Sequence, residues 1–259
     1  MEYGLLLSST PGAEGSLFAW CAFLLKKYSG MFLSATWTTF YVAVIGTIIG
    51  FILGFLVGIT NTIVIHKEDN PIKKVLLHIL KWIVAIYSEI FRDTPMIVQG
   101  MVIYYGLRQN DVMISSVMAG ILVIVLNTGA YMGETVRAGI NSIDKGQEEG
   151  ALAMGMSHFG AMMTIILPQA IKNVIPEMGN TFLSNLKMTS VLNVIGVSEL
   201  FLMAKTAGGA YYKYYESYMV IAIIYLVLCF VINRILAFVE KKTKGRKDYE
   251  LATEYITGD

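Results

Sequence analysis

Five apolar stretches dominate this chain and decide what it can become. A helix that crosses a bilayer needs about 20 mainly apolar residues. Candidates run from about Phe32 to Ile65, Val75 to Leu107, Val112 to Ile140, Gly160 to Ile195 and Tyr218 to Val239. Only 15% of the 259 residues are charged and 55% are hydrophobic, where ordinary globular proteins carry about 25% charge. The mean hydropathy of +0.60 points the same way. The expected fold class is therefore an all-α integral membrane protein with about five transmembrane helices. The second and fourth stretches contain Pro95, and Pro168 with Pro176, and are expected to be interrupted there. Broken backbone at membrane depth survives where protein or a water-lined cavity satisfies its polar groups. The N-terminus has neither the basic start nor the apolar run of a cleaved signal peptide, so insertion is expected to rely on the spans.

Lys and Arg in the loops set the expected orientation. One set of loops holds Lys67, Lys73, Lys74, Arg137, Lys145, Lys241, Lys242, Lys244, Arg246 and Lys247, ten in all. The other holds Lys26, Lys27, Arg108, Lys205 and Lys213, five in all. The richer side is expected to be cytoplasmic, with the N-terminus outside and the C-terminus inside. The expected division is an extracytoplasmic segment over residues 1–31, a transmembrane domain over 32–240 and a cytosolic tail over 241–259. Residues 14–27 are a candidate outer-surface helix. In the first span Gly46, Gly50, Gly54 and Gly58 recur every four residues, a spacing that lines one helix face and permits close approach. The partner is either another helix of the same chain or a second subunit.

The loop before the fourth stretch reads as a short soluble helix. Asp144-Lys-Gly-Gln147 resembles a capping box. Glu148 and Glu149 place negative charge in the first turn, where the helix dipole favours it. Ala151, Leu152, Ala153 and Met154 are good helix formers. Gly155 can supply a left-handed terminating residue, and Ser157 can cap the next helix. The expectation is a helix of about three turns near 145–156, too short to cross a bilayer. Its small side chains beside Leu152 and Met154 suit docking into a groove on another protein. An amphipathic helix at the lipid surface is the alternative.

The same loop resembles the EAA signature of permease subunits of ABC importers: Glu-Ala-Ala, three residues, Gly, nine residues, Ile-x-Leu-Pro. Here it appears as Glu149-Gly150-Ala151, Gly155 and Ile165-Ile166-Leu167-Pro168, with Gly150 replacing the first alanine. FRDTPMIVQ (91–99) is similar to the FRGTP-type stretch of the polar amino-acid uptake permeases, with Asp93 in place of glycine. AYMGETVRAGINSIDKGQ (130–147) and LPQAIKNVIPEMGNTFLSNLKMTSVLNVIGVSEL (167–200) resemble that family's following segments.

The resemblance implies the type I ABC importer permease fold in a bacterial cytoplasmic membrane. It implies a pore built from two permease subunits, as a homodimer or heterodimer. Two cytosolic ATPase subunits, which would hold ATP and Mg, and an extracytoplasmic substrate-binding protein complete the assembly. The loop helix then becomes a coupling helix, with Gln147, Glu149, Gly150, Ala151 and Gly155 carried over to that role. The chain has no G-x-x-x-x-G-K-[ST] phosphate loop and no Gly-Lys dipeptide, so ATP hydrolysis is expected in the partner and no cofactor is expected in this chain. No HExxH occurs, His66, His78 and His158 share no ligand spacing, and Cys21 and Cys229 form no CxxC. Neither a metal site nor a catalytic set is expected. Net charge is only +1, which gives no nucleic-acid footprint.

Charges inside spans cost roughly 2.5–3.5 kcal/mol each on insertion scales, so each calls for a reason. Glu89, Arg92 and Asp93 cluster before Pro95. Glu89 and Arg92 are either a helical ion pair or a two-signed lining suited to an amino acid. Glu134 and Arg137, again three apart, read as a structural pair bracing the loop. Asn127 can bond a neighbouring helix. Asn180, Ser184 and Lys187 lie at helical spacing on one side of the fourth stretch. With Arg92 they form the candidate substrate pathway, and Lys187, Thr189 and Ser190 match the family's Lys-x-Thr-Ser element. Tyr211, Tyr212, Tyr214, Tyr215 and Tyr218 read as an interfacial aromatic belt. The competing function class is an ion-coupled secondary carrier. It is disfavoured because the internal repeat of many such carriers is absent.

Overall fold

The computed structural model describes residues 10–12, 15–65 and 67–243. His66 and the tail cations Lys244, Arg246 and Lys247 lie outside the described residues. Helix α1, Leu17–Lys27, opens on Ser16, whose hydroxyl accepts from the Ala19 amide. It occupies the expected 14–27 region and leads directly into α2, Ser29–Thr62. At 34 residues and about 1.5 Å per residue, α2 outreaches the hydrocarbon core. Helix α3, Pro71–Asp93, is capped by Asn70 with Pro71 in its first turn, where a missing N–H costs nothing. Helix α4 is Met96–Gln109 and α5 is Ser116–Asn141. The loop helix α6 spans Lys145–Ala153. Then come α7 (His158–Ala161), a π turn (Met162–Ile166) and α8 (Leu167–Met188). A 3₁₀ segment (Thr189–Ile195), α9 (Leu200–Gly209) and α10 (Tyr214–Thr243) complete the described chain.

The glycine stripe settles its own question. A Cβ built on Gly46, Gly50, Gly54 or Gly58 would lie 2.5–2.6 Å from side-chain atoms of Ile124, Thr128, Met132 and Val136 in turn. Both helices repeat every four residues along this seam, so ridges of α5 seat in the shallow face of α2. The stripe is an intrachain seam, and α2 against α5 is the spine of the molecule. A buried polar tie crosses it: Asn185 of α8 donates to Thr47 at 2.8 Å and to Thr128 at 2.8 Å. Outward residues such as Ile48, Ile52 and Leu56 on α2 and Leu226, Val227 and Phe230 on α10 are exposed, as lipid-facing positions require.

Of the five expected apolar stretches, the second and fourth depart from a single straight span. Three helices are long and apolar enough to cross, Ser29–Thr62, Ser116–Asn141 and Tyr214–Lys242, and His158–Ile195 with Leu200–Gly209, bent by 54°, can make a fourth. The second stretch is two helices meeting at Thr94-Pro95. Thr94 is held extended because the proline ring crowds a helical residue before it. Lys73, Lys74, Lys81, Glu89, Arg92 and Asp93 make α3 too polar to pass as a membrane span by composition.

The fourth stretch departs in the opposite sense. Pro168 falls in the first turn of α8, behind the π turn, and Pro176 lies inside α8 without ending it. Widening one turn lets the chain enter the helix at Pro168 without the ring striking the preceding carbonyl. The real break comes later, where Gly196 takes φ 82°. There Glu199, fully buried, accepts from the Phe201 and Leu202 amides at 2.8 Å each and so satisfies the first amides of α9. Sequence reading missed Glu199, since glutamate is an unusual N-cap and nothing nearby in sequence marks it.

Candidate functional site

Helix α6 is closed at both ends by local chemistry. Asp144 accepts from the Gly146 amide at 2.7 Å, a tighter turn than the capping box expected with Gln147. At the other end Gly155 has φ 85°. Its amide donates to Leu152 at 2.9 Å, and the Met156 amide to Ala151 at 3.1 Å, the paired bonds of a Schellman ending. Ser157 then caps α7 through the Gly160 amide at 3.1 Å. The helix has nine residues, shorter than the three turns expected, because this ending consumes Met154 to Met156. His158 Nδ1 lies 3.3 Å from Glu148 Oε1, tying α7 back to α6.

The five residues assigned to coupling do not share one environment. Gln147, Glu149, Gly150 and Gly155 are exposed, whereas Ala151 is buried. A Cβ on Gly150 would meet nothing within 4 Å, so no neighbour in this chain demands glycine there. Met154 and Phe159 flank the helix end at 86% and 75% exposure. Phe159 was not singled out from sequence, yet it enlarges the apolar part of this surface.

The polar residues of the membrane domain separate into two places. Asn180, Ser184 and Lys187 lie together on the exposed side of α8, with Asn185 turned the other way into the core. Asn180 donates to Glu177 at 3.4 Å and lines a small cavity of about 80 Å³ with Asn233 and Glu240. Arg92 is elsewhere. Its guanidinium lies 3.9 Å from Glu134 of α5, not paired with Glu89, and about 6.0 Å from the Tyr131 ring. Arg137 holds Glu134 Oε2 through Nε at 3.0 Å and Nη2 at 2.6 Å. Above this cluster the break at Pro95 is stitched by side chains. Gln99 donates to the Phe91 and Thr94 carbonyls at 3.0 and 2.9 Å, and Asn127 of α5 donates to Phe91 at 3.1 Å and to Gln99 at 3.3 Å. The carbonyls freed by the proline are thereby paired inside the protein. Among the described residues no group of His, Cys, Asp and Glu could hold a metal ion.

A helical membrane domain with a doubly capped loop helix beneath a bent span defines the class: a multi-span transport component. The chain belongs to the binding-protein-dependent transport system inner membrane component family, whose profile matches residues 76–245. It is 38% identical over 165 residues to the arginine transport system permease protein ArtQ of Bacillus subtilis, covering 63% of this chain and 75% of that one. It is 36% identical to a putative glutamine transport system permease protein GlnP of Rickettsia typhi, covering 63% and 76%. Its structure superposes on the crystal structure of an amino acid ABC transporter with histidines at a TM-score of 0.73, with 33% identity over 84% of this chain and 96% of that one. An inward-facing MetNI methionine ABC transporter shares the fold alone, at a TM-score of 0.67 and 17% identity.

Proposed function

We propose that this protein is the permease subunit of an ATP-driven importer for polar amino acids. The observation that carries the reading is the short, doubly capped, exposed helix Lys145–Ala153, hung beneath the membrane helices of a member of this family. Two cytosolic ATPase subunits, binding ATP and Mg, seat this helix, and an extracytoplasmic binding protein supplies the substrate. A second permease subunit, the same or similar, completes the pore. Residues 32–240 form the transmembrane domain. The N-terminal segment 1–31 lies outside and the tail 241–259 inside, so that loops rich in Lys and Arg face the cytosol.

Closing of the ATPase pair on ATP moves α6. Because α6 is tied to α7 by Glu148 and His158, and α7 continues through the π turn into α8, the displacement passes to the helix that carries Asn180, Ser184 and Lys187. Alternating access follows as rigid-body motion of these elements, and net import requires that substrate affinity differ between the two states. The amino-acid class is supported by the names of the similar permeases and by the mixed charges of the membrane domain.

Reconstitution in proteoliposomes with the partner ATPase and binding protein tests the reading. Uptake of labelled amino acid is expected only with ATP and both partners present. Uptake driven by an ion gradient without the ATPase would overturn it and establish the secondary-carrier reading instead.

A further inference from the structure

Capping α9 does not by itself explain Glu199. A serine or threonine would close the start of that helix without burying a charge. Glu199 is instead a fully buried carboxyl, and among the described residues no cation pairs with it. Such a group at membrane depth calls for a reason beyond local structure. Its length supplies one. Besides the two amide bonds, Oε2 accepts from the Tyr225 hydroxyl of α10 at 3.4 Å. That hydroxyl is also hydrogen-bonded to Thr39 of α2 and to Thr189. Thr39 in turn accepts from the Leu200 amide at 3.3 Å. Glu199, Thr39 and Thr189 are all fully buried. One buried polar hub therefore joins α2, the 3₁₀ segment, the start of α9 and α10.

The hub stands where the chain passes from one core to another. Leu192 and Ile195 pack with Met96 of α4 and Ile124 of α5. A few residues on, Leu200 and Ala204 pack with Phe32 of α2 and Val220 of α10. The backbone between the two cores is shaped to bend. It leaves α geometry for a 3₁₀ run at Thr189, a frequent mark of a hinge. It then turns at Gly196 with φ 82°, and the fourth span bends there by 54°. Helix α9, by contrast, is fastened. Ser217 of α10 donates to the Ala204 carbonyl at 2.6 Å. A Cβ on Gly208 would lie 3.0 Å from the Tyr214 backbone, so α9 and α10 approach as closely as their backbones allow.

We propose that Glu199 is a positioning residue that fixes α9 to α2 and α10, which makes Gly196 the hinge where displacement of α8 is taken up. The proposal rests on the reading of α6 as the helix moved by the ATPase. Helix α8 follows α6 through α7 and the π turn. Motion entering at α6 runs along α8 to the bend, and the hub holds what lies beyond it. Helix α9 stays seated while α8 tilts. Hinges of this kind are a few element-terminal residues that absorb the change in backbone angle. A carboxylate suits the position because both its oxygens accept backbone amides. Glutamine would turn one acceptor into a donor, facing the amide of Phe201 or Leu202.

Distances between spin labels in the assembled permease–ATPase complex, held in nanodiscs, test the hinge. The chain is first cleared of Cys21 and Cys229. Cysteines introduced at the exposed positions Lys145 of α6, Lys172 of α8 and Lys205 of α9 are each paired with one at exposed Ile223 of α10. Pulsed electron paramagnetic resonance compares the ATP-free complex with the complex trapped by ATP and vanadate. The distances from Lys145 and Lys172 to Ile223 are expected to shift, and the distance from Lys205 to stay. In Glu199→Gln the Lys205 distance should shift as well, and amino acid taken up per ATP hydrolysed in proteoliposomes should fall about fivefold or more. Tyr225→Phe keeps the ring and the cap, so it folds without a stranded amide, and its uptake per ATP should fall in the same direction. A residue that only capped α9 would lower the amount of folded subunit, leave uptake per ATP unchanged and be indifferent to Tyr225→Phe. A Lys205 label that moves as far as the Lys172 label in the wild type, or unchanged uptake per ATP in both variants, overturns the hinge and leaves the functional reading standing. A Lys145 label that does not respond to ATP overturns the functional reading, and the hinge with it.

Discussion

Single side chains do unusual work in this molecule because the membrane offers no water to substitute for a lost partner. Asn185 is the clearest case, bridging α2, α5 and α8 through two threonine hydroxyls. Hydrogen bonds between membrane helices contribute about 0.6–1.7 kcal/mol each. Asn185→Leu is therefore expected to lower stability by about 1–3 kcal/mol, read as a shift in the thermal unfolding of the subunit in detergent; an unchanged midpoint would mean the threonines re-pair elsewhere. Gln99 is a second case. Gln99→Leu strands the Phe91 and Thr94 carbonyls at the Pro95 break, and a loss of similar size is expected by the same measurement. Neither role was legible in sequence, where Asn185 was one polar residue among several and Gln99 drew no notice. Asn127 was expected to bond a neighbouring helix, and does, because an amide deep in an apolar span has few other options.

At the scale of elements, the loop helix and the glycine seam invite opposite substitutions. On the seam, Gly54→Ala places a methyl within about 2.5 Å of the Met132 side chain. Overpacking of this kind costs about 1–3 kcal/mol, more than the roughly 1 kcal/mol that alanine gains in helix propensity, so a net loss of thermal stability is expected. On α6 the balance reverses. Gly150→Ala meets no neighbour and is expected to raise helix stability by up to about 1 kcal/mol. If ATP-driven uptake nevertheless falls, the space at Gly150 is used by the ATPase. Glu149→Lys, at an exposed position, should leave the subunit folded and abolish ATP-driven uptake in proteoliposomes. Normal uptake by that variant would remove Glu149 from the coupling surface. Ala151, buried under the helix, is better placed to hold α6 against the π turn than to touch a partner. Helix period in the sequence could not say which side of α6 the membrane domain would cover.

For the whole molecule, the two ends of the bundle are each chemically coherent. Lys67, Glu68, Asp69 and His158 line one cavity, which puts the loop after α2 beside the α6–α7 connection. At the other end Lys213 lies over Trp20, and Lys27 bonds Tyr211, joining α1 to the tyrosine-rich turn before α10. Single cysteines introduced at Lys145 and at Lys213 into a chain cleared of Cys21 and Cys229 are therefore expected to label from opposite faces of sealed vesicles. Lys145 should react only from the cytosolic face. Labelling of both from one face would overturn the proposed orientation. The proposed orientation rests on loop charge asymmetry, a composition signal that needs no contacts.

Sequence alone determined what local chemistry and composition control: the helical membrane class, the positions of the apolar stretches, the caps around α6 and the left-handed glycine at 155. Each depends on residues within a turn or two, or on the cost of placing charge in lipid. The tertiary structure decided what depends on contacts between distant segments. It turned the glycine stripe inward onto α5, paired Arg92 with Glu134 across 42 positions instead of with Glu89 three residues away, and buried Glu199 as a cap. It also carried α8 through Pro176, while the chain bent at Gly196 instead. A membrane helix must satisfy every buried polar group from within the protein, and which partner is within reach is known only once the helices have packed.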